Sequence, residues 1–431
     1  MEEHLETINR VKKMREELNL PVAVLLDTSG PEIRLGNFEQ EKVTLEQGKE
    51  FVLTAKDVVG TKDMVSITYK KLMQDVKEGM KILLDDGLIE MSVLKVTDQD
   101  IVCRVENGGV ISSHKGVNVP GAEISMKYIS PKDKEDITFG AKQGIDFVAA
   151  SFVRSAHDVM DLRNLLKENG HEEIKIIAKI ENRQGIEHID EILEASDGVM
   201  VARGDLGTEI PSEMLPIVQK QMIATCRRLG KIAIVATEML ETMMENNRPK
   251  RAETSDIANA VFDGTDAVML SGETTVGKHP IETVAAMANI CETAEKYAEF
   301  NYSDENERVV DAQSAIADAV VDTTKRLNAK LICAATISGS TARVISNLKP
   351  KATVLALVPD EKTGRRLALN WGVYPTLLPV CNSTDEVLTK SIASAKEYTD
   401  LVKGDIVITT GGFPNNAVSR TTNLMKIEVV D

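Results

Sequence analysis

Behind an opening segment of mixed charge and helical spacing (residues 1–20), the chain is punctuated by continuous apolar runs at 22–27, 145–151, 174–180, 198–204, 231–237 and 266–272. An unbroken apolar run of this length is the pattern of a strand buried on both faces of a parallel sheet. Stretches with helical periodicity separate most of them, among them 156–168, 186–195 and 215–229. Strand and helix alternating about every 25–35 residues predicts a parallel α/β fold. Nearly every run ends in a polar group: Asp27, Ser151, Lys179, Asp205, Thr237 and Ser271. Chemistry delivered from successive strand ends favours a TIM-type (β/α)8 barrel over an open sheet. Six strands are visible where such a barrel closes with eight, and the chain opens directly on a helix. An incomplete barrel is therefore expected, two strands short at its amino end.

Between residues 33 and 126 the pattern changes to short alternating runs (KVTLEQ, EFVLTA, MVSITY, KILLDDGLIEMSVLKV, DIVCRV), with Asp86-Gly87 marking a hairpin. This predicts an all-β domain inserted between a barrel strand and its helix. After a polar break (NYSDENER), runs at 331–336, 353–358, 373–378, 405–410 and 425–430 predict a doubly wound α/β domain at the C-terminus. The expected domains are a split barrel (1–32 and 127–302), an inserted β-rich lid (33–126) and a C-terminal α/β unit (303–431).

Composition narrows the function. Aromatic residues make up only 3% of the chain and the net charge is −16, which argues against nucleic acid as a partner. No apolar run is long enough to span a bilayer. Cys103, Cys226, Cys291, Cys333 and Cys381 show no CxxC spacing and read as buried thiols of a cytoplasmic protein. The six histidines show no metal or triad grouping.

The chemistry gathers in IKIIAKIENRQG and GVMVARGDLGTEI. Glu181 and Asp205 follow neighbouring strands, and a hard cation such as Mg²⁺ favours one or two carboxylates completed by substrate oxygens and water. Lys179 shares a strand face with Glu181. It either stabilises charge on a transferring phosphoryl group or an enolate, or serves as the counter-ion of Glu181; the roles are compatible. The Gly204–Gly207 turn offers backbone amides at the start of a short helix, suited to carboxylate or phosphate. The Thr237 hydroxyl either assists proton delivery or caps the following helix. Asp27 and Thr28 stand where the inserted domain departs, with Gly30-Pro31 making the turn. Arg34 and Lys115 flank the insertion, either as phosphate clamps or as solvated surface cations. In the last domain Thr336, Ser338, Gly339, Ser340 and Thr341 (within TISGST) follow a strand and open a helix, as a phosphate nest or as a cap.

Taken together, these motifs resemble the pyruvate kinase family. LLDTSGPEIR, ENGG, KGVNVPG, AASFVR, IIAKIEN, GVMVARGDLG, ATEMLETM, RAETSDIANAV, DGTDAVMLSGET and TNLMKI stand in that family's order over essentially the whole chain. The resemblance implies phosphoryl transfer between phosphoenolpyruvate and ADP, giving pyruvate and ATP, in a cytoplasmic homotetramer with an effector-binding C domain. Lys179 resembles the lysine that stabilises the phosphoryl group, and Glu181 and Asp205 the Mg²⁺ (or Mn²⁺) ligands. Gly204 and Asp205 resemble the amides that hold the substrate carboxylate, and Thr237 the threonine near enolate protonation. Asp27 and Thr28 match two K⁺ ligands, Glu32 the form found in K⁺-dependent members, and Arg34 and Lys115 the nucleotide contacts. The TISGST segment would receive a sugar-phosphate effector.

There are departures. The family's R-x-N-F-S-H-type motif, with an arginine on phosphate and two further K⁺ ligands, would precede the first residue of this chain. Ser29 replaces the usual lysine, Glu238 stands where Gln is common, and GGFPNNAVSRTTN lacks the usual effector-loop glycines. Two other readings stay open: a truncated fragment that binds ligand without turnover, and a metal-dependent lyase or aldolase acting on a pyruvate enolate. The inserted and C-terminal domains argue against the latter.

Overall fold

The structure, a computed structural model, describes residues 2–300, 311–412 and 422–430. The polar break at 301–308 and most of the 411–423 loop lie outside the described residues.

The six apolar runs form one all-parallel sheet. Its strands, Leu25–Asp27, Phe147–Ala150, Lys175–Ile180, Gly198–Ala202, Ile232–Ala236 and Ala267–Val268, pair in chain order. Strand alternation splits their side chains between two cores. Val148, Ala150, Ile176, Ala178, Val199, Val201, Ala233 and Val235 pack outward against helix residues such as Leu162, Met222 and Ile223. Phe147, Ala149, Ile177, Met200, Ile234 and Ala236 form a separate inner cluster. One face under helices and the other packed on itself is the arrangement of a (β/α) barrel. Among the described residues the first and last strands have one partner each, so the barrel is incomplete.

The helices at Ala156–Glu168 and Leu215–Leu229 match the apolar spacing. The single helix expected over 186–195 is instead two, Arg183–Glu187 and Ile189–Ala195. Asn182 explains the difference: its side chain accepts from Gly185 N and starts a short helix before the apolar spacing begins.

The inserted segment folds around its own core, including Phe51, Leu53, Ile82, Leu84, Met91 and Ile101. Its main sheet runs Met64–Ser66, Glu50–Thr54, Asp100–Val105, Ile89–Val96, Lys81–Leu84 and Val117–Asn118, and Lys42–Leu45 pairs separately with Gly109–Ser112. Leu84 opposite Ile89 closes the expected hairpin, with Asp85, Asp86 and Gly87 all at positive φ. A Cβ added at Gly87 would stand 3.7 Å from the Thr208 methyl group of the barrel helix Arg203–Glu209.

The C-terminal sheet has the order Val373–Leu377, Thr353–Val358, Leu331–Ala335, Ile406–Gly412, Thr422–Val429, with only the last strand antiparallel. Separate apolar clusters cover its two faces, as in a doubly wound fold. Two buried ion pairs fasten it to the barrel. Lys349 Nζ lies 2.5 Å from Asp266 and Arg365 Nε 2.9 Å from Asp146, each aspartate just preceding a barrel strand.

All five cysteines are free thiols, four of them buried. No helix among the described residues is long and apolar enough to cross a membrane.

Candidate active site

Lys179 stands at the centre of the strand ends. Its ammonium donates to Ser151 Oγ at 2.9 Å and pairs with Asp27 Oδ1 at 3.1 Å and Glu181 Oε1 at 3.0 Å. Burial pulls its pKa down, but the Glu181 and Asp27 carboxylates outweigh that and the net shift is upward. The lysine therefore keeps its charge.

Glu181 is 1% exposed. One of its oxygens accepts the Phe152 amide at 2.5 Å, and Phe152 takes a left-handed φ of +53°. Burial, opposed by Lys179 and reinforced by Asp205, pushes Glu181 up to about 7. Asp205 is raised too, mainly by burial, and hydrogen-bonds Glu181. Two carboxylates pressed together in a buried place share a proton or hold a cation. Among the described residues no group of three or more His, Cys, Asp or Glu forms a protein-only cage. A divalent cation held by this pair would complete its shell with substrate and water, and the hard oxygen donors suit Mg²⁺.

Above the pair opens a cleft between the inserted β domain and the barrel, lined by Glu32, Asp86, Arg154, Glu181, Asp205 and Glu209 among others. Glu209 is pushed up to about 7, by burial first and then by Asp205. Arg154 donates to the carbonyls of Ile124 and Met126, at 2.8 and 3.0 Å, while Asp158 grips the same guanidinium. It thereby ties the chain returning from the lid to the barrel.

Thr237 does not cap a following helix. At φ +68°, its hydroxyl accepts the Gly204 amide at 2.8 Å and donates to Ala236 O at 2.6 Å. The next residue, Glu238, is also left-handed at +53°. Such conformations cost non-glycine residues roughly 1–3 kcal/mol each. The Gly204 amide, expected to be open to a ligand, is thus engaged by Thr237.

Asp27 and Thr28 are knitted to the neighbouring strand. Ser151 N donates to Thr28 Oγ1 at 3.0 Å, and Ser151 Oγ donates to Thr28 O at 2.8 Å. Arg34 and Lys115 lie on adjoining segments at the base of the lid, and both are paired. Arg34 meets Glu32 (2.9 Å) and His114 O (2.8 Å), and Lys115 meets Asp85 (2.8 Å).

The 336–341 segment belongs to the C-terminal sheet. Of the two alternatives for this segment, side-chain capping by Ser338 or Thr341 is not found: the cap of helix Ser340–Asn347 is Gly339, at φ +83° and with no side-chain cap bond. Thr341 Oγ1 instead meets Thr422 Oγ1 at 2.8 Å, and Ser340 Oγ accepts from Gln313 at 2.8 Å. The Ser338 carbonyl accepts from Arg343, and buried Thr336 donates its amide to Leu357 O.

Three residues at the site were not assigned a role from sequence: Arg154 and Glu209, which line the cleft, and Ser151, which accepts a hydrogen bond from Lys179. Ser151 carried a signal, being the polar end of an apolar run. Arg154 pairs locally with Asp158, four residues on, but its reach to the Ile124 and Met126 carbonyls and the burial of Glu209 depend on tertiary contacts.

Comparison with known proteins matches residues 1–284 to a family model described as pyruvate kinase, barrel domain, and residues 314–428 to pyruvate kinase, alpha/beta domain. The pyruvate kinase of Clostridium acetobutylicum is 46% identical over 100% of this chain and 91% of its own length. That of Geobacillus stearothermophilus is 46% identical over 100% of this chain and 74% of its own. A crystal structure of a pyruvate kinase from Cryptosporidium parvum superposes with a TM-score of 0.92 at 37% identity, covering 100% of this chain and 88% of that one.

Proposed function

The chain belongs to the pyruvate kinase family, and on that footing we propose that Lys179, Glu181, Asp205 and Thr237 carry the transfer of a phosphoryl group from phosphoenolpyruvate to ADP. One observation supports this above all: a charged lysine lies 3.0 Å from a buried glutamate that hydrogen-bonds an aspartate. Glu181 and Asp205 would hold Mg²⁺ or Mn²⁺, which when bound supplies positive charge to the substrate oxygens.

Lys179 then faces the oxygens on which charge develops during transfer, its position fixed by Ser151 and Asp27. Asp205, in the first turn of helix Arg203–Glu209, offers its amide to the substrate carboxylate beside the side-chain-free Gly204. The Thr237 hydroxyl, which accepts the Gly204 amide, would help deliver a proton to the enolate. Asp27 and Thr28 offer oxygens to K⁺. Arg34 and Lys115, released from Glu32 and Asp85, would meet the nucleotide phosphates. Residues 33–126 would act as the lid between barrel residues 1–32 and 127–302, and the 336–341 segment of the 303–431 domain would take a phosphate-bearing effector. Such an enzyme of glycolysis works in the cytoplasm, as a homo-oligomer.

Lys179→Met tests the reading. Pyruvate formation, followed in a coupled assay, should fall by at least about 10²-fold, while calorimetry still registers Mg²⁺ and phosphoenolpyruvate binding. Unchanged turnover would refute the role given to Lys179.

A further inference from the structure

Two consecutive non-glycine residues at positive φ need something to hold them, and here one side chain does so. Arg203 is 6% exposed and follows the Gly198–Ala202 strand. Its Nε and Nη2 donate to Thr237 O at 3.2 and 2.7 Å, and Nη2 also donates to Glu238 O at 3.1 Å. Both carbonyls of the left-handed pair are therefore engaged by a single guanidinium. Its Nη1 is paired with Asp256 Oδ2 at 2.6 Å, on the helix Arg251–Asp263. One residue beyond Arg203, the Gly204 amide donates to Thr237 Oγ1. The same short segment thus fixes Thr237 at both its carbonyl and its hydroxyl.

We propose that Arg203, oriented by Asp256, is a positioning residue for the protonation half of the reaction, holding the strained Thr237–Glu238 backbone so that the Thr237 hydroxyl stays at the site. The inference rests on the reading of Thr237 as a proton-delivery group. A planar fork of donors suits two carbonyls at once, whereas a lysine ammonium has no such fixed geometry. An ion pair serving stability alone has no need to hold the backbone of this particular threonine. Arg203 and Lys179 share no partner: Lys179 meets Ser151, Asp27 and Glu181, whereas Arg203 meets the Thr237 and Glu238 carbonyls and Asp256.

The test uses the full chain with Mg²⁺ and K⁺ and reads two rates. One is ATP formed from phosphoenolpyruvate and ADP in a single turnover. The other is exchange of pyruvate methyl hydrogens with D₂O in the presence of ATP, followed by NMR; a C–H bond breaks, a C–D bond forms and the proton passes to solvent. Arg203→Lys should slow exchange by about 100-fold and slow single-turnover ATP formation far less, with phosphoenolpyruvate affinity retained. Asp256→Asn, at a half-exposed position, should shift the two rates in the same ratio to a smaller extent, and it decides the matter if Arg203→Lys does not fold. Equal loss of both rates, or exchange at the parent rate in the folded variant, overturns the inference. Thr237→Val separates the two claims. If it slows exchange while Arg203→Lys does not, only the role of Arg203 falls; if it leaves exchange untouched, the reading of Thr237 falls and this inference with it.

Discussion

Glu209 is a residue whose ionisation bears on stability. Its folded pKa of about 7 lies above the ordinary 4.5. The folded chain thus holds this proton more tightly than the unfolded chain, and the contribution is fully present below 4.5 and lost as pH rises through 7. The loss amounts to at most about 3 kcal/mol. Glu209→Gln should accordingly raise the melting temperature at pH 8 and leave it almost unchanged at pH 4, and scanning calorimetry at the two pH values checks both. The site was legible in the sequence as far as strand alternation reaches. Lys179, Glu181 and Asp205 end apolar runs, so their convergence follows from the fold class alone. The left-handed backbone of Thr237 was not legible, because the guanidinium that engages it comes from 34 residues earlier in the chain. The His114 carbonyl that engages Arg34 and the Asp85 carboxylate that engages Lys115 were hidden for the same reason.

Elements were legible where one periodicity persisted and lost where it was interrupted. The helices Ala156–Glu168 and Leu215–Leu229 emerge from apolar spacing, and the second stops at Gly230 in the left-handed region. The strand Val117–Asn118 was not legible because two residues are too few for an alternation to establish itself. The connection from barrel to lid depends on Gly30, at φ +68°, where an added Cβ would come within 2.6 Å of Ser151 O. That carbonyl also accepts the Tyr128 hydroxyl at 3.1 Å. Gly30→Ala should cost at least about 1–2 kcal/mol from the backbone alone. Because Ser151 bonds Lys179, denaturant unfolding and turnover should both register the change.

Across the whole molecule, alternation within each barrel strand separates an inner from an outer core, and that division was implicit in the apolar runs. The joint between barrel and C-terminal unit was not, since Lys349 in NLKPK reads as a surface lysine. In the fold it is fully buried, paired with Asp266 and 5.2 Å from the Trp371 ring centroid. Lys349→Met should destabilise the chain by roughly 3–5 kcal/mol through the buried carboxylate left behind, and adding Asp266→Asn should recover part of the loss in the same unfolding experiment. The buried thiols lead elsewhere. Burial pushes Cys103 and Cys333 up to about 12 and Cys291 up to about 11, and raises Cys226 as well. Maleimides react with thiolates, so these four native sulfurs offer a dark background for site-directed labelling once the fifth thiol is removed by Cys381→Ser. A lone Leu88→Cys, replacing a side chain 69% exposed beside the turn of the inserted domain's hairpin, would then carry a single dye, and the proposed closure of that domain on the barrel could be tested one molecule at a time.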